Sequence, residues 1–343
     1  MNNLKEKIDL INFYSQNRIP FLFYTDYEIK EIQVFPLSDI PNDVKYEVNG
    51  SGNIDGTTVL PPDFLWKVHP ISKTVYKKGF DKVMEEIQYG NSFLLNLTYP
   101  SSIETDLSLE QIFEHSKARY KLFIQDQFTC FSPESFIKIK DDVISSYPMK
   151  GTIDATLPNA SDIIINDPKE LAEHYTIVDL IRNDLSQVAK KVTVEKFRYF
   201  DKISTNDKEL LQVSSKITGL LSDNYKNNLG DVLFKLLPAG SICGAPKPKT
   251  LQIIKEAEIK SRGYYTGVMG VYDGSSLDCG VMIRAISMTE NKMYYHSGGG
   301  ITHKSILDEE YKELIDKIYV PIIRDDQNSG WRNKKSILSP TKI

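Results

Sequence analysis

Cysteine is scarce in this chain: three in 343 residues (Cys130, Cys243, Cys279), far apart and never in a CxxC pair. That argues against a disulfide framework and against a cysteine-based zinc site. Histidine is nearly as rare, with five residues, no HExxH run and no grouping that reads as a triad. No stretch approaches the 18 or so consecutive apolar residues of a membrane span, and the start (MNNLKEKIDLINF) lacks the apolar centre of a signal peptide. The expected location is the cytoplasm, with no membrane partner. Charge of one sign is also missing. Lys+Arg total 42 against 46 Asp+Glu, a net charge of -4, with no polybasic stripe before the tail. A nucleic-acid partner is therefore not expected.

What is present is ordinary globular material, 41% hydrophobic and 26% charged, enough for a sizeable core. The length suits about two domains or one large intertwined one. A helix is expected over 1–12, then a hairpin of "PFLFYTDYE" and "EIQVFPL". Residues 41–73, rich in Asp, Asn, Gly and Pro, read as a connector. Tyr76, Phe80, Val83 and Ile87 recur at helical spacing, and Gly90-Asn91 stops that helix before the strand "SFLLNLTYP". A helix at 108–119 precedes strands near 127–131 and 135–140, and Asp141-Asp142 turns the latter back into "VISSYP". Residues 168–188 form the clearest helix, with Asp167 as cap, Pro168 in the first turn and an apolar stripe at Tyr175, Val178, Ile181, Leu185 and Val188. A helix at 246–258, strands at 265–273, 279–289 and 292–297, and a last helix at 306–319 follow. Strands in hairpin-like pairs point to an α+β class. Residues 1–73 are expected to join the same intertwined fold as a catalytic region at 74–325, leaving 326–343 as a polar tail.

Two acidic pairs could carry chemistry. Glu170 and Glu173 share one helical face, as do Glu310, Glu313 and, a turn further on, Lys317. If the helices met, four carboxylates would suit a hard cation such as Mg²⁺; from spacing alone, solvated helix surface is the default. "YYHSGGGITHKS" resembles a phosphate loop, but His303 stands where a Walker A loop needs its second glycine, so the match fails. The three glycines allow close approach of a ligand or make a turn into a helix. Lys150 in "SYPMKGT" is an exposed turn residue or, if buried beside a ligand, a nucleophile. Arg284, in an otherwise apolar strand, needs an anionic partner, either a ligand carboxylate or a structural ion pair.

Taken together and in order, "FSPESF" (131–136), "YPMKGT" (147–152), "ELAEHYTIVDLIRNDL" (170–185), "GSICGAPK" (240–247), "RGYYTGVMG" (262–270), "VMIRAI" (281–286) and "SGGGITHKSILDEEYKELIDK" (297–317) resemble the signature of the chorismate-utilising enzymes. That family includes anthranilate, aminodeoxychorismate, isochorismate and salicylate synthases. The resemblance covers roughly residues 75–323. It implies two large twisted, mostly antiparallel sheets packed face to face with helices outside and the active site between them.

By position, the resemblance implies that Glu173 and Glu313 bind Mg²⁺, with Glu170 and Glu310 as companions acting on ligands or through water. Arg284 and Tyr265 would hold a carboxylate of chorismate. Thr152, Gly298, Gly299, Gly300 and Lys317 would line the same pocket. Lys150 matches the aminodeoxychorismate branch, where anthranilate synthases carry Ala. There the lysine adds to the ring as the hydroxyl leaves, and ammonia then expels the lysine. That chemistry requires the amine to stand clear of Glu173 and Glu313. Leu94 replaces the lysine base of the isochorismate and salicylate branches. Departures are Gln212 for a usual His, Cys243 for Thr and Ala239 for Gly. The resemblance thus implies amination of chorismate towards para-aminobenzoate and folate, with anthranilate synthase component I as the alternative and, given the departures, a divergent low-activity relative as another. With no glutamine-hydrolysing segment in the chain, ammonia would come from solution or from a separate glutamine amidotransferase subunit.

Overall fold

The computed structural model of the protein describes residues 2–204 and 209–322; the tail at 326–343 lies outside them. Among the described residues the chain makes two nine-stranded sheets from antiparallel ladders, with helices packed around them, which is the expected α+β architecture. One sheet is built on Phe21–Thr25, Val268–Tyr272, Leu277–Val281 and Glu209–Leu220; the other on Leu94–Thr105, Lys292–Ile301 and Tyr120–Ile124.

Side-chain alternation explains how the sheets face each other. Leu22 and Tyr24 join Tyr46, Tyr120 and Leu122 of the opposite sheet in one apolar cluster. Phe21 and Phe23, pointing the other way, pack with Ile11, Leu229 and Leu233 of the helices Asn2–Gln16 and Leu229–Leu236. A third cluster sets the helix Leu109–His115 through Ile112 and Phe113 against Phe123, Phe131 and Tyr295. Each fully buried aromatic of this kind contributes about 2–3 kcal/mol. Gly280 shows how close the sheets come: a Cβ there would lie 2.4 Å from the Tyr120 ring, whose hydroxyl donates to Asp278 at 2.6 Å.

Several expectations need correction. Residues 41–73 are not merely a connector: Val44–Val48 is a buried strand paired with Tyr120–Ile124, and Trp66–His69 pairs with Leu94–Thr105. Strands from the first 73 residues enter both sheets. Residues 279–289 are not one strand. Leu277–Val281 belongs to one sheet and Ala285–Thr289 to the other, the chain changing sheets at Met282–Arg284. Tyr175 leaves the expected apolar stripe and is 56% exposed, while Val178, Ile181 and Leu185 are buried. The hairpin at Asp141-Asp142 is as expected, with both residues at positive φ (51° and 62°) between Ser135–Lys140 and Val143–Ser146.

Candidate active site

The glycine segment forms a strand, not the turn considered above. Gly298, Gly299 and Gly300 lie within Lys292–Ile301, opposite Thr98, Leu97 and Asn96. Side chains here would collide with the surroundings. A Cβ on Gly298 would meet the Leu97 carbonyl at 2.4 Å. On Gly299 it would meet Glu313 Oε1 at 3.2 Å and Glu310 Oε2 at 3.5 Å; on Gly300, Leu94 Cδ1 at 3.1 Å and Lys150 Nζ at 3.3 Å. Bare backbone therefore lets two functional walls close in on adjacent residues of one strand.

The first wall combines the strand Met149–Asp154 with the helix Pro168–Ser186. Asp167 caps the helix, accepting from the Glu170 amide at 2.9 Å. Gly151, at φ 82°, leaves room for Glu170 Oε2, 3.1 Å from where its Cβ would be. Lys150 Nζ lies 3.3 Å from Glu173 Oε2. The amine is thus not held clear of Glu173, contrary to the requirement drawn from the sequence. Thr152 sits opposite Gln212 in the ladder, and its side chain is outside the described residues.

The second wall is the helix Leu307–Asp316. Its Glu310 is 2% exposed. Lys317, at the helix C-cap, donates to Glu313 Oε1 at 2.6 Å and to the Gly298 carbonyl at 2.8 Å. The four glutamates thus flank the glycine strand. Among the described residues no three carboxylate, His or Cys side chains form one cage. Burial pushes the Glu170 carboxyl up, and Glu173, Asp167 and Glu313 add to this against the opposing pull of Lys150.

Tyr265 and Arg284 emerge from the corner where the chain changes sheets. The Thr266 amide donates to the Met282 carbonyl, and the Met282 amide to that of Gly267. Arg284 adopts φ 52°, in the left-handed region that a bulky residue rarely occupies, which is why it interrupts the strand expected around it. Its guanidinium lies 5.1 Å from the Tyr319 ring centroid, and its buried Nε has no hydrogen-bond partner. Tyr265 stacks on His296 at 5.1 Å, and burial raises its phenol to about 12. A 410 Å³ cavity between Arg284, Tyr319, Glu313 and Lys317 opens to this side. A larger groove of 1350 Å³ reaches Glu173 and Leu94 from the other.

Two groups escaped the sequence reading. Glu134, inside the quoted "FSPESF", accepts from the Ser241 hydroxyl at 2.6 Å. Burial raises its carboxyl, with Ser241, Lys150, Arg284 and Lys317 pulling it down. A carboxyl inclined to hold its proton beside an amine is a natural acid–base partner. His174 is fully buried, with Nε2 2.7 Å from Ser215 Oγ; burial lowers its pKa to about 4, Arg198 and Lys150 assisting. Each lies inside a motif quoted above, Glu134 in "FSPESF" and His174 in "ELAEHYTIVDLIRNDL", and the motif was the only signal that could have found it.

Comparison with known proteins gives the same family. Residues 57–322 match the family described as chorismate binding enzymes. The chain is 49% identical over 323 residues to an "Uncharacterized PabA-like protein" of Haemophilus influenzae, covering 94% of this chain and 98% of that protein. It is 30% identical over 265 residues to aminodeoxychorismate synthase component 1 of Bacillus subtilis, covering 73% of this chain and 55% of the other, so it spans about half the length of that relative. Among solved structures, anthranilate synthase component I from Streptococcus pneumoniae superposes with a TM-score of 0.64 at 26% identity, over 74% of this chain and 58% of the other. The menaquinone-specific isochorismate synthase of Escherichia coli shares the fold, with a TM-score of 0.70 over 91% of this chain and 80% of that one, at 14% identity. With two antiparallel sheets, a glycine strand between paired glutamates and the family match running from residue 57 to residue 322, the chain belongs to the chorismate binding enzymes.

Proposed function

We propose that this chain is an aminodeoxychorismate synthase component I, converting chorismate and ammonia to 4-amino-4-deoxychorismate. The observation that carries this reading is the position of Lys150, whose amine lies 3.3 Å from where a Cβ on Gly300 would be, between the glycine strand and Glu173. An amine at that place is a nucleophile in waiting once it loses its proton. It adds to the chorismate ring as the ring C–O bond breaks, and the departing hydroxyl takes a proton from Glu134 to leave as water. Ammonia then attacks the carbon that bore the hydroxyl, the lysine nitrogen leaves with its bonding pair, and the proton released by ammonia returns to Glu134. Arg284, with its unfilled Nε, holds a substrate carboxylate, and Tyr265 stands beside it.

The donor set suits Mg²⁺: carboxylate oxygens and no soft ligand, with Glu170 raised by burial and by its acidic neighbours. Glu173 and Glu313 would hold the ion, with Glu170 and Glu310 behind them. When bound it would supply positive charge for a substrate carboxylate. Leu94, beside Gly300, cannot take a proton, which argues against the water-activating chemistry of isochorismate synthases. Lysine at 150 in place of alanine argues against anthranilate synthesis. Ammonia would come from a separate glutamine amidotransferase subunit.

The test is to incubate the purified chain with chorismate, Mg²⁺ and an ammonium salt and to identify the product by mass and by coupling to aminodeoxychorismate lyase. 4-Amino-4-deoxychorismate is expected. Anthranilate, isochorismate or unchanged chorismate would overturn the reading.

A further inference from the structure

Ser241 lies outside every role assigned above, yet its surroundings are unusually fixed. It sits in the short turn Gly240–Ile242. On one side Gly240 packs so closely on the helix Pro168–Ser186 that a Cβ would lie 2.7 Å from Asp184 Oδ2. On the other, the buried Arg262 donates from Nη1 to the Ile242 carbonyl at 2.9 Å, while its Nε and Nη2 grip Glu258 at 2.6–3.2 Å. The same guanidinium reaches the Asn96 carbonyl at 2.6 Å, opposite Gly300, and the Asn96 amide donates to the Cys243 carbonyl at 3.0 Å. A buried, forked ion pair of this kind holds geometry well because its donors are rigid. The turn is therefore tied to the glycine strand's partner and to the helix of the first wall.

Glu134 is fixed from its own side as well. Its amide donates to Ser132 Oγ at 3.1 Å, and its carbonyl accepts from the Val281 amide at 3.0 Å. The hydroxyl of Ser241 completes the arrangement at 2.6 Å from Glu134 Oε1. Two rigid backbones thus present one hydroxyl to one carboxyl oxygen, the supporting contact that a proton-transfer group needs to keep its aim.

We propose that Ser241 is a positioning residue that aims the carboxyl of Glu134 and sets how readily it gives up its proton. This rests on the reading of Glu134 as the proton donor in chorismate amination. The charged and titratable groups around Glu134 are Lys150, Arg284, Lys317 and Tyr265, from four separate segments of the chain. Alongside the three cations, Ser241 supplies a neutral donor that also favours the carboxylate. Without it, the carboxyl holds its proton to higher pH.

The test compares the parent with Ser241→Ala, Ser241→Thr and Glu134→Gln. Chorismate amination is measured across pH at matched free ammonia, together with the infrared carbonyl band of the protonated acid, assigned as the band that Glu134→Gln removes. Ser241→Ala is expected to lower kcat about tenfold or more with little change in the KM for chorismate, and to move the alkaline limb up by about one pH unit, the scale of one hydrogen bond to a charged group. Its carbonyl band should shift to that of an acid with a weaker partner. Ser241→Thr keeps the hydroxyl and should restore both. Unmoved limb and band, or a kcat loss that Ser241→Thr fails to repair, would overturn the proposal. If the parent left chorismate unconverted, the functional reading would fail, and the infrared band alone would decide the role of Ser241.

Discussion

The two walls of the cleft carry the same inventory, a pair of glutamates three residues apart on a helix and one lysine, but hold it differently. On the second wall Lys317 is doubly tied, at 2.6 Å to Glu313 and 2.8 Å to the Gly298 carbonyl. On the first, Lys150 has one longer polar contact among the described residues, 3.3 Å to Glu173. The partners differ too: the Glu173 side chain is 10% exposed and that of Glu313 44%. A short, charge-assisted bond to a carboxylate plus one to a carbonyl fixes a lysine's rotamer, although burial, with Arg284 assisting, lowers the pKa of Lys317 against the pull of Glu313. One long contact holds a rotamer less tightly. Lys317 is thus held in place, and Lys150 has the freedom to reach a substrate.

The sharpest way to break this comparison is to remove each lysine in turn. Lys150→Ala should cost about 10³-fold or more in kcat, the scale of losing a nucleophile, with little change in the KM for chorismate. Lys317→Ala should act mainly on binding, raising the KM about tenfold, roughly the worth of one charge-assisted contact. Mass spectrometry of parent protein with chorismate and no ammonia should find a ring adduct on Lys150 and none on Lys317. Full turnover in Lys150→Ala, with no adduct on the parent, would leave Lys150 as a positioning charge like its counterpart.

A smaller effect is expected from the glutamates. Glu173→Gln and Glu313→Gln should each weaken Mg²⁺ dependence by about 10–100-fold while the fold persists. Glu173→Gln should do something its counterpart cannot. Removing the carboxylate that pairs with Lys150 frees that side chain, so labelling of Lys150 by an amine-reactive reagent should speed up. Equal labelling in both variants would show that Glu173 has no hold on Lys150. Unchanged Mg²⁺ dependence would leave the pairs without a metal-binding role.

How much of this could be read from sequence depended on how far apart the interacting residues lie. The turn at Asp141-Asp142, the cap at Asp167 and the helical faces bearing the glutamates are local patterns, and they appear where expected. Phe21–Thr25, rich in strand formers, pairs with Ile32–Pro36 as the expected hairpin, whereas Val44–Val48 was hidden among turn residues. The break at Arg284 depends on a left-handed backbone that an arginine does not advertise. Glu134 and Ser241 are 107 positions apart, so no spacing rule could pair them. Each of the site's lysines, by contrast, stood within a motif already in view, and what the sequence could not supply was the 3.3 Å contact that separates Lys150 from Lys317.

Acid should separate the first wall from the glycine strand most gently. Each has a histidine bonded to a serine: His174 to Ser215 on the wall, His296 to Ser287 on the strand, both at 2.7 Å. Burial lowers each ring to about 4, with Arg198 and Lys150 adding to it at His174 and Lys260 at His296. The folded protein therefore binds these protons more weakly than the unfolded chain, whose histidines titrate near 6.5. Their stabilising contribution is fully present above about pH 6.5 and is lost as pH falls towards 4. For the fully enclosed His174 the loss at pH 5 comes to about 2 kcal/mol. His296 is only half-buried, so solvent screening makes its share smaller. Amide exchange should accordingly quicken first in Pro168–Ser186 and Glu209–Leu220, and later in Lys292–Ile301. His174→Asn should remove the early loss and leave the later one in place, while turnover near neutrality barely changes. If exchange rose equally in the first wall and the glycine strand, or if His174→Asn kept the parent's acid sensitivity, the first wall would owe its pH response to its carboxylates instead.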